Sequence, residues 1–327
     1  MPRALITGIL GQDGRYLSEF LRGKDYEVFG LVHDVSFDDP LLAHELPDVR
    51  LIPGDLTDVA TLIRACEVAQ PNEVYNLGAQ SRVDLSFRQP AASMYATAHG
   101  AQNVLDAIRT VHSIAPSVKF YQASSSEMFG DAGPLPYSEA TPFHPQSPYA
   151  IAKLDAHHTT RIYREAYGMF AATGICFNHE SPWRSQEFVS RKISMAVARI
   201  NAGLQPNLVL GNLDSLRDWG FAGDYVEAMW LILQHSEPDD FVISTGEAHS
   251  VREFVELAFS RIGIHDWREK VTQDPDLFRP LDPDLCGDSS KARGVLGWKH
   301  TKSFEQLVHM MVDAEVRQIS AADKDQD

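Results

Sequence analysis

Residues 3–14, "RALITGILGQDG", decide the fold: a β-rich run over 3–7 enters a turn with Gly8, Gly11 and Gly14, and a helical pattern follows. Glycines in such a turn let backbone approach a pyrophosphate, and the next helix offers N–H donors and the positive end of its dipole. The spacing is not the G-x-G-x-x-G of dinucleotide-binding turns. Taken alone, a plain strand-to-helix turn would read the same way. Its place at the first strand–helix junction favours dinucleotide binding, with Gly8, Gly11, Gln12, Asp13 and Gly14 as candidate contacts.

Outward from this turn, the first half of the chain alternates strand and helix. Strands are predicted over 3–7, 26–32, 49–54, 73–78, 118–123 and 170–178. Between them lie helical patterns, with Tyr16, Leu17, Phe20 and Leu21 on one face and "VATLIRACEVA" over 59–69. Strands separated by helices imply βαβ units, hence an α/β fold with a Rossmann-type doubly wound parallel sheet. After about residue 178, Pro182, Pro206 and "DPDLFRPLDPDL" break the rhythm. Two helix starts there carry capping boxes, Ser250 with Glu253 and Ser303 with Gln306. The expectation is a dinucleotide-binding domain over 1–178 and a smaller, mixed α/β substrate-binding region over 179–327, some of which returns to the first domain.

The formal charge of −16 argues against nucleic acid or an anionic membrane as partner, since both need a basic surface. Cys66, Cys176 and Cys286 lie far apart without CxxC spacing, so neither a metal site nor a disulfide framework is expected. A reducing cytoplasmic location is the simplest reading. No apolar run reaches membrane-spanning length, and no secretory signal is expected before the first strand.

The segment "SPYAIAKLDA" (147–156) sets Tyr149 and Lys153 one helical turn apart on one face. A lysine there can lower the tyrosine's pKa and bond a cofactor ribose, making the phenolate a usable base. Upstream, "QASSSEMFGD" (122–131) leaves a predicted strand through three serines and a glutamate. A polar turn is the ordinary reading of that composition; at a strand end beside a Tyr/Lys helix start it becomes a candidate site. "GDLTD" (54–58) and "NLGAQS" (76–81) end the third and fourth strands near the switch point of such sheets. They add Asp55, Leu56, Leu77 and Ala79 as cofactor-side candidates.

On these segments, and on "FNHESPWRSQEFVSRKI" and "LGNLDSLRDWGFAGDYVEAMW", the chain resembles the extended short-chain dehydrogenase/reductase superfamily over nearly its whole length. More narrowly it resembles the GDP-mannose 4,6-dehydratase family. The resemblance implies an NAD(P) cofactor, a nucleotide sugar as small-molecule partner, and a lyase reaction that borrows and returns a hydride. It implies catalytic Ser125, Glu127, Tyr149 and Lys153, with Tyr149 and Lys153 also touching the cofactor. It puts nucleotide-sugar contacts on Ser81, Asn178, Val189, Lys192, Arg217, Arg279 and Asp282. Epimerases and reductases of the superfamily need the Tyr, Lys and Ser but no such Glu. The competing readings are a dehydratase for another GDP-sugar such as a heptose, an epimerase or 4-keto reductase, and a noncatalytic cofactor-sensing protein.

The sequence departs from the family pattern in places. Ser125 replaces a Thr and keeps the hydroxyl. His33 and Asp34 stand where the family has two arginines that hold the 2′-phosphate of NADP and help pair dimers into tetramers. A carboxylate repels that phosphate and suits ribose hydroxyls, so NAD is favoured, with NADP left open. A homodimer through helices around 90–109 and 148–168 is implied, and a tetramer is not. Arg82, His144, Gln146, Trp183 and Ser185 depart near the sugar.

Overall fold

The computed structural model describes residues 1–33, 46–111 and 118–324. Six strands form close to the predicted places: β1 (Arg3–Thr7), β2 (Glu27–Val32), β3 (Arg50–Pro53), β4 (Glu73–Asn76), β5 (Lys119–Ser125) and β6 (Phe170–Cys176). Among the described residues six more follow: β7 (Asn178–Glu180), β8 (Leu208–Leu210), β9 (Leu216–Phe221), β10 (Asp240–Ile243), β11 (Ala248–Ser250) and β12 (Val271–Gln273). The main sheet runs β3-β2-β1-β4-β5-β6-β10, and every neighbouring pair is parallel. β10 was not among the predicted strands. It is four residues long and lies beyond the point where the strand–helix rhythm breaks.

The strands carry apolar runs rather than apolar–polar alternation because both sheet faces are covered. Ala4, Ile6, Val28 and Val32 pack into one core with Leu17, Leu21 and the helix Ala222–Gln234; Leu5, Phe29 and Leu31 pack into the other with Leu62, Val104 and Leu105. Successive residues of one strand thus serve opposite layers, as the two-residue period requires. Of the predicted helical face, Leu17 and Leu21 are fully buried, each contributing roughly 2 kcal/mol by removal from water.

The second half builds its own core around Trp219, which stacks on Phe304 with ring centroids 5.5 Å apart. Helices Val189–Asn201, Val251–Arg261 and Phe304–Lys324 enclose it, beside the small sheets β11-β9-β7 and β12-β8. Both predicted capping boxes form: Glu253 N–H donates to Ser250 Oγ (3.1 Å) and Gln306 N–H to Ser303 Oγ (3.3 Å), with each acidic or amide side chain reaching back. Among the described residues no helix is long and apolar enough to cross a membrane, and no cluster of His, Cys, Asp or Glu could hold a metal ion.

Candidate active site

The sheet order reverses between β1 and β4, so the loops leaving these strands part and a cleft opens at their C-terminal ends. A buried polar chain fixes this edge. Thr7 Oγ1 donates to Asn76 Oδ1 (2.6 Å), Asn76 Nδ2 to Gln122 Oε1 (2.8 Å), and Gly78 N–H to Thr7 Oγ1 (3.0 Å). Above it lies a cavity of about 440 Å³ lined by Gly8, Gly11, Gly54, Asp55, Leu56 and Ala79, among others. Gly8 sits at φ +69°, and a Cβ there would stand 2.8 Å from Gly78 N. Gly14 serves packing instead: a Cβ would meet Gly8 O and Ile9 Cα at 2.5 Å. A cleft lined by glycine backbone at a helix N-terminus suits the phosphates of a dinucleotide.

The other turn candidates divide. Gln12 and Asp13 do not line the cavity but reach across to the segment after β6. Gln12 Nε2 donates to His179 O (3.0 Å) and Gln12 Oε1 accepts from Ser181 Oγ (2.8 Å), while His179 Nε2 meets Asp13 Oδ2 at 2.8 Å. Burial alone would raise the Asp13 carboxyl, but the His179 charge and hydrogen bond outweigh it and bring it down to about 2. His179 is correspondingly raised, against its own burial. Its Nδ1 faces Phe177 O at 2.7 Å, so both ring nitrogens meet acceptors and the imidazolium satisfies both. Leu77 packs into the core, Ser81 is exposed beyond β4, and Asp34 lies outside the described residues. His33 Nε2 stands 3.2 Å from Asp55 Oδ2.

Where β5 ends, Ser125 caps a single 3-10 turn, Ser126–Met128, and accepts from Glu127 N–H (3.3 Å). The helix Pro148–Tyr167 is capped by Ser147, whose Oγ accepts from Ala150 N–H (3.0 Å), and Pro148 occupies its first turn, where a missing N–H costs nothing. This start brings Tyr149 into side-chain hydrogen-bond contact with Ser125 and within reach of the Glu127 charge. Lys153, one turn on, donates from Nζ to Ala123 O (2.9 Å), with Nζ 5.9 Å from the Tyr149 ring centroid. Both side chains are buried, and burial pushes them opposite ways: Tyr149 up to about 12, despite the Ser125 bond, and Lys153 down to about 8. The sequence reading expected the lysine to lower the tyrosine. Desolvation prevails here: burial of the hydroxyl outweighs the Ser125 hydroxyl and the Arg184 charge, which both favour the phenolate. Ser124 turns away and bonds His157 Nδ1 (3.1 Å) inside the core.

Of the nucleotide-sugar candidates, Arg217, Arg279 and Asp282 meet beside this strand end. Arg217, on β9, is buried; Nη1 donates to Leu216 O (2.7 Å) and Pro283 O (2.9 Å), and Nη2 pairs with Asp282. Ser215 Oγ also bonds Asp282. Arg279 Nη1 lies 3.1 Å from Glu127 Oε1 and 4.0 Å from Asp282 Oδ1. One chain of charges therefore runs Glu127–Arg279–Asp282–Arg217. Asn178 begins β7, and Val189 and Lys192 share the first turns of the helix Val189–Asn201; Lys192 is half-buried and its amine lowered by burial, with Asp274 opposing.

Two residues were missed. Arg184 extends its charge toward Tyr149, Asp13 and His179, with Nε 3.1 Å from buried Glu180 Oε2. His179 ties the glycine turn to β7. Both stood inside the quoted segment 177–193, but nothing in their own spacing marked them; only the fold brings them to the site.

The family model for GDP-mannose 4,6 dehydratase matches residues 5–311. GDP-mannose 4,6 dehydratase 2 of Arabidopsis thaliana is 53% identical over 96% of this chain and 86% of its own length. The human GDP-mannose 4,6 dehydratase is 47% identical over 96% of this chain and 91% of its own length. Among solved structures, a Bacillus anthracis dTDP-glucose 4,6-dehydratase in complex with NAD superposes with a TM-score of 0.83 at 18% identity, covering 98% of each chain, and so shares the fold. The chain belongs to the GDP-mannose 4,6-dehydratase family, on the Rossmann-type scaffold of the extended short-chain dehydrogenase/reductases.

Proposed function

We propose that the protein converts GDP-mannose to GDP-4-keto-6-deoxymannose, with loss of water and no net oxidation. The observation that carries this reading is the meeting, at one strand end, of the Ser125–Tyr149 pair with the Glu127 carboxylate. A nicotinamide cofactor held over Gly8, Gly11 and Ala79 would supply the hydride acceptor and donor, and its oxidised ring a positive charge. Tyr149 takes the proton of the sugar 4-hydroxyl as C4 becomes a ketone, with Ser125 holding the same oxygen. The ketone acidifies the C5 hydrogen; Glu127 removes it and then protonates the departing 6-hydroxyl, so that water leaves and C5 and C6 become doubly bonded. Hydride return to C6 and a proton at C5 complete the product.

With its proton held up to about 12, Tyr149 needs nearby positive charge to act as a base near neutrality. Arg184 supplies part of it, and Lys153, with Nζ 5.9 Å from the ring centroid, would supply more. Lys192 and Arg279 would bind the diphosphate, for which a guanidinium fork is well suited, and Arg217 would anchor Asp282 beside it, with Ser81, Asn178 and Val189 around the nucleotide. Asp34 supports NAD over NADP, tested by comparing both affinities before and after Asp34→Arg. Three free, buried cysteines suit a reducing cytoplasm. Ile151 and Ile162, three helical turns apart, stand exposed on one face of Pro148–Tyr167, with Tyr95 also exposed, supporting a homodimer across this face.

Incubation of pure protein with GDP-mannose, followed by NMR, tests the reading. A 4-keto-6-deoxy product without stoichiometric cofactor consumption is expected. An isomeric sugar would point to an epimerase, a need for added reductant to a reductase, and no turnover of any sugar nucleotide to a noncatalytic protein.

A further inference from the structure

Arg217 and Arg279 stand side by side but are held very differently. Arg217 is buried and bonded to two carbonyls and a carboxylate, which leaves its guanidinium no freedom. Arg279 has a side chain 34% exposed, and among the described residues its one close hydrogen-bonded partner is Glu127, through Oε1 at 3.1 Å. Asp282, the next carboxylate, is 4.0 Å away and already engaged by Arg217 and Ser215. The loop around Arg279 adds little restraint, because Leu277, Phe278 and Leu281 all face solvent. A long, part-exposed side chain on one ion-pair contact is weakly held, whereas a diphosphate offers it two charged oxygens in fork geometry.

Glu127 is the other end of that bond. In the reading above its carboxylate must face C5 of the sugar, and a carboxylate with one oxygen on a guanidinium is not free to do so. We infer that the Glu127 carboxylate and the substrate's diphosphate compete for the Arg279 guanidinium, so that nucleotide binding itself releases the base. Arg279 is then a coupling residue: it reports the arrival of the diphosphate at one end of the substrate to the acid–base group at the other. The inference rests on the proposed roles of Glu127 and Arg279. Linkage makes the coupling reciprocal, so what weakens the ion pair strengthens diphosphate binding.

The affinity for GDP, measured by displacement of a fluorescent GDP analogue, tests this without turnover. Four proteins are compared: unaltered, E127Q, R279M and the double variant. E127Q should bind GDP about fivefold more tightly than the unaltered protein, the size of a modest interaction between contacting residues. It should not change affinity for guanosine, which carries no phosphate. In the R279M background the same change should give no gain, and R279K, which keeps the charge, should restore part of it. Equal or weaker GDP binding by E127Q overturns the inference. So does a gain that persists without Arg279, since that is simple repulsion between Glu127 and the phosphates. Failed coupling alongside normal turnover of GDP-mannose overturns the inference alone; failure of the unaltered chain to bind GDP overturns it together with the nucleotide reading.

Discussion

On the sheet side of the site, backbone does the positioning. Ser125 ends a parallel strand, Tyr149 follows a serine cap, Lys153 bonds a strand carbonyl, and Gly8 leaves room that a side chain would close. On the facing side, charges hold charges: Arg217 on Asp282, Arg279 on Glu127, Arg184 on Glu180, and Arg191 on Glu315 of the last helix. The first wall is set by local structure and is fixed once the sheet folds. The second depends mostly on partners tens to more than a hundred residues apart in sequence, and its part-exposed pair, Arg279 on Glu127, can be exchanged for a ligand's charge. A rigid wall suits chemistry that needs sub-ångström placement; an exchangeable one suits recognition of an anion.

The contrast can be broken at either wall. Tyr149→Phe removes the acid–base group while leaving the ring and its packing, and should cut turnover by about 10³-fold; near-normal product formation would remove Tyr149 from the chemistry. On the facing wall, Arg217→Met leaves Asp282 as an unpaired, largely buried carboxylate and should cost about 3 kcal/mol in urea unfolding. A loss well under half of that would mean that the charged wall tolerates opening. Gly8→Ala forces a side chain into left-handed backbone against Gly78 N, and should cost about 2 kcal/mol together with most of the cofactor affinity. Wild-type stability and binding there would deny the glycine turn its role.

The smallest effect joins the two walls. His179 is raised by Asp13, so the stability it contributes is fully present below its ordinary 6.5 and is lost as pH rises through the raised value. Asp13 is lowered to about 2, so its contribution is present above its ordinary 3.8 and is lost as pH falls toward 2. His179→Gln should therefore cost about 1 kcal/mol between roughly pH 4 and 6.5, with the difference narrowing on the alkaline side. A pH-independent difference would mean that the ring acts by packing on Tyr225 alone.

The two walls were also unequally legible. β1 to β6 could be read from the sequence because strands buried on both faces are short apolar runs between turn residues, as in "RALIT" and "EVYN". β10 could not, since four residues after an irregular crossover carry no period. Ser125, Glu127, Tyr149 and Lys153 were found because a strand end and a helix turn are local patterns. The direction of the Tyr149 shift was misjudged because sequence spacing carries the Lys153 charge but not the depth of burial that outweighs it. Arg184 and His179 were missed because their partners, Tyr149 and Asp13, become neighbours only when the segment after β6 folds over the glycine turn.

The division of labour between Tyr149 and Glu127 is the central claim, and a single mixing experiment reaches it. Glu127→Gln protein is mixed with GDP-mannose and the near-ultraviolet absorbance of reduced nicotinamide is followed while product is assayed by NMR. The account predicts that reduced cofactor accumulates toward one equivalent per site, with almost no 4-keto-6-deoxy sugar formed. Full turnover by this variant, with no accumulation, would contradict it.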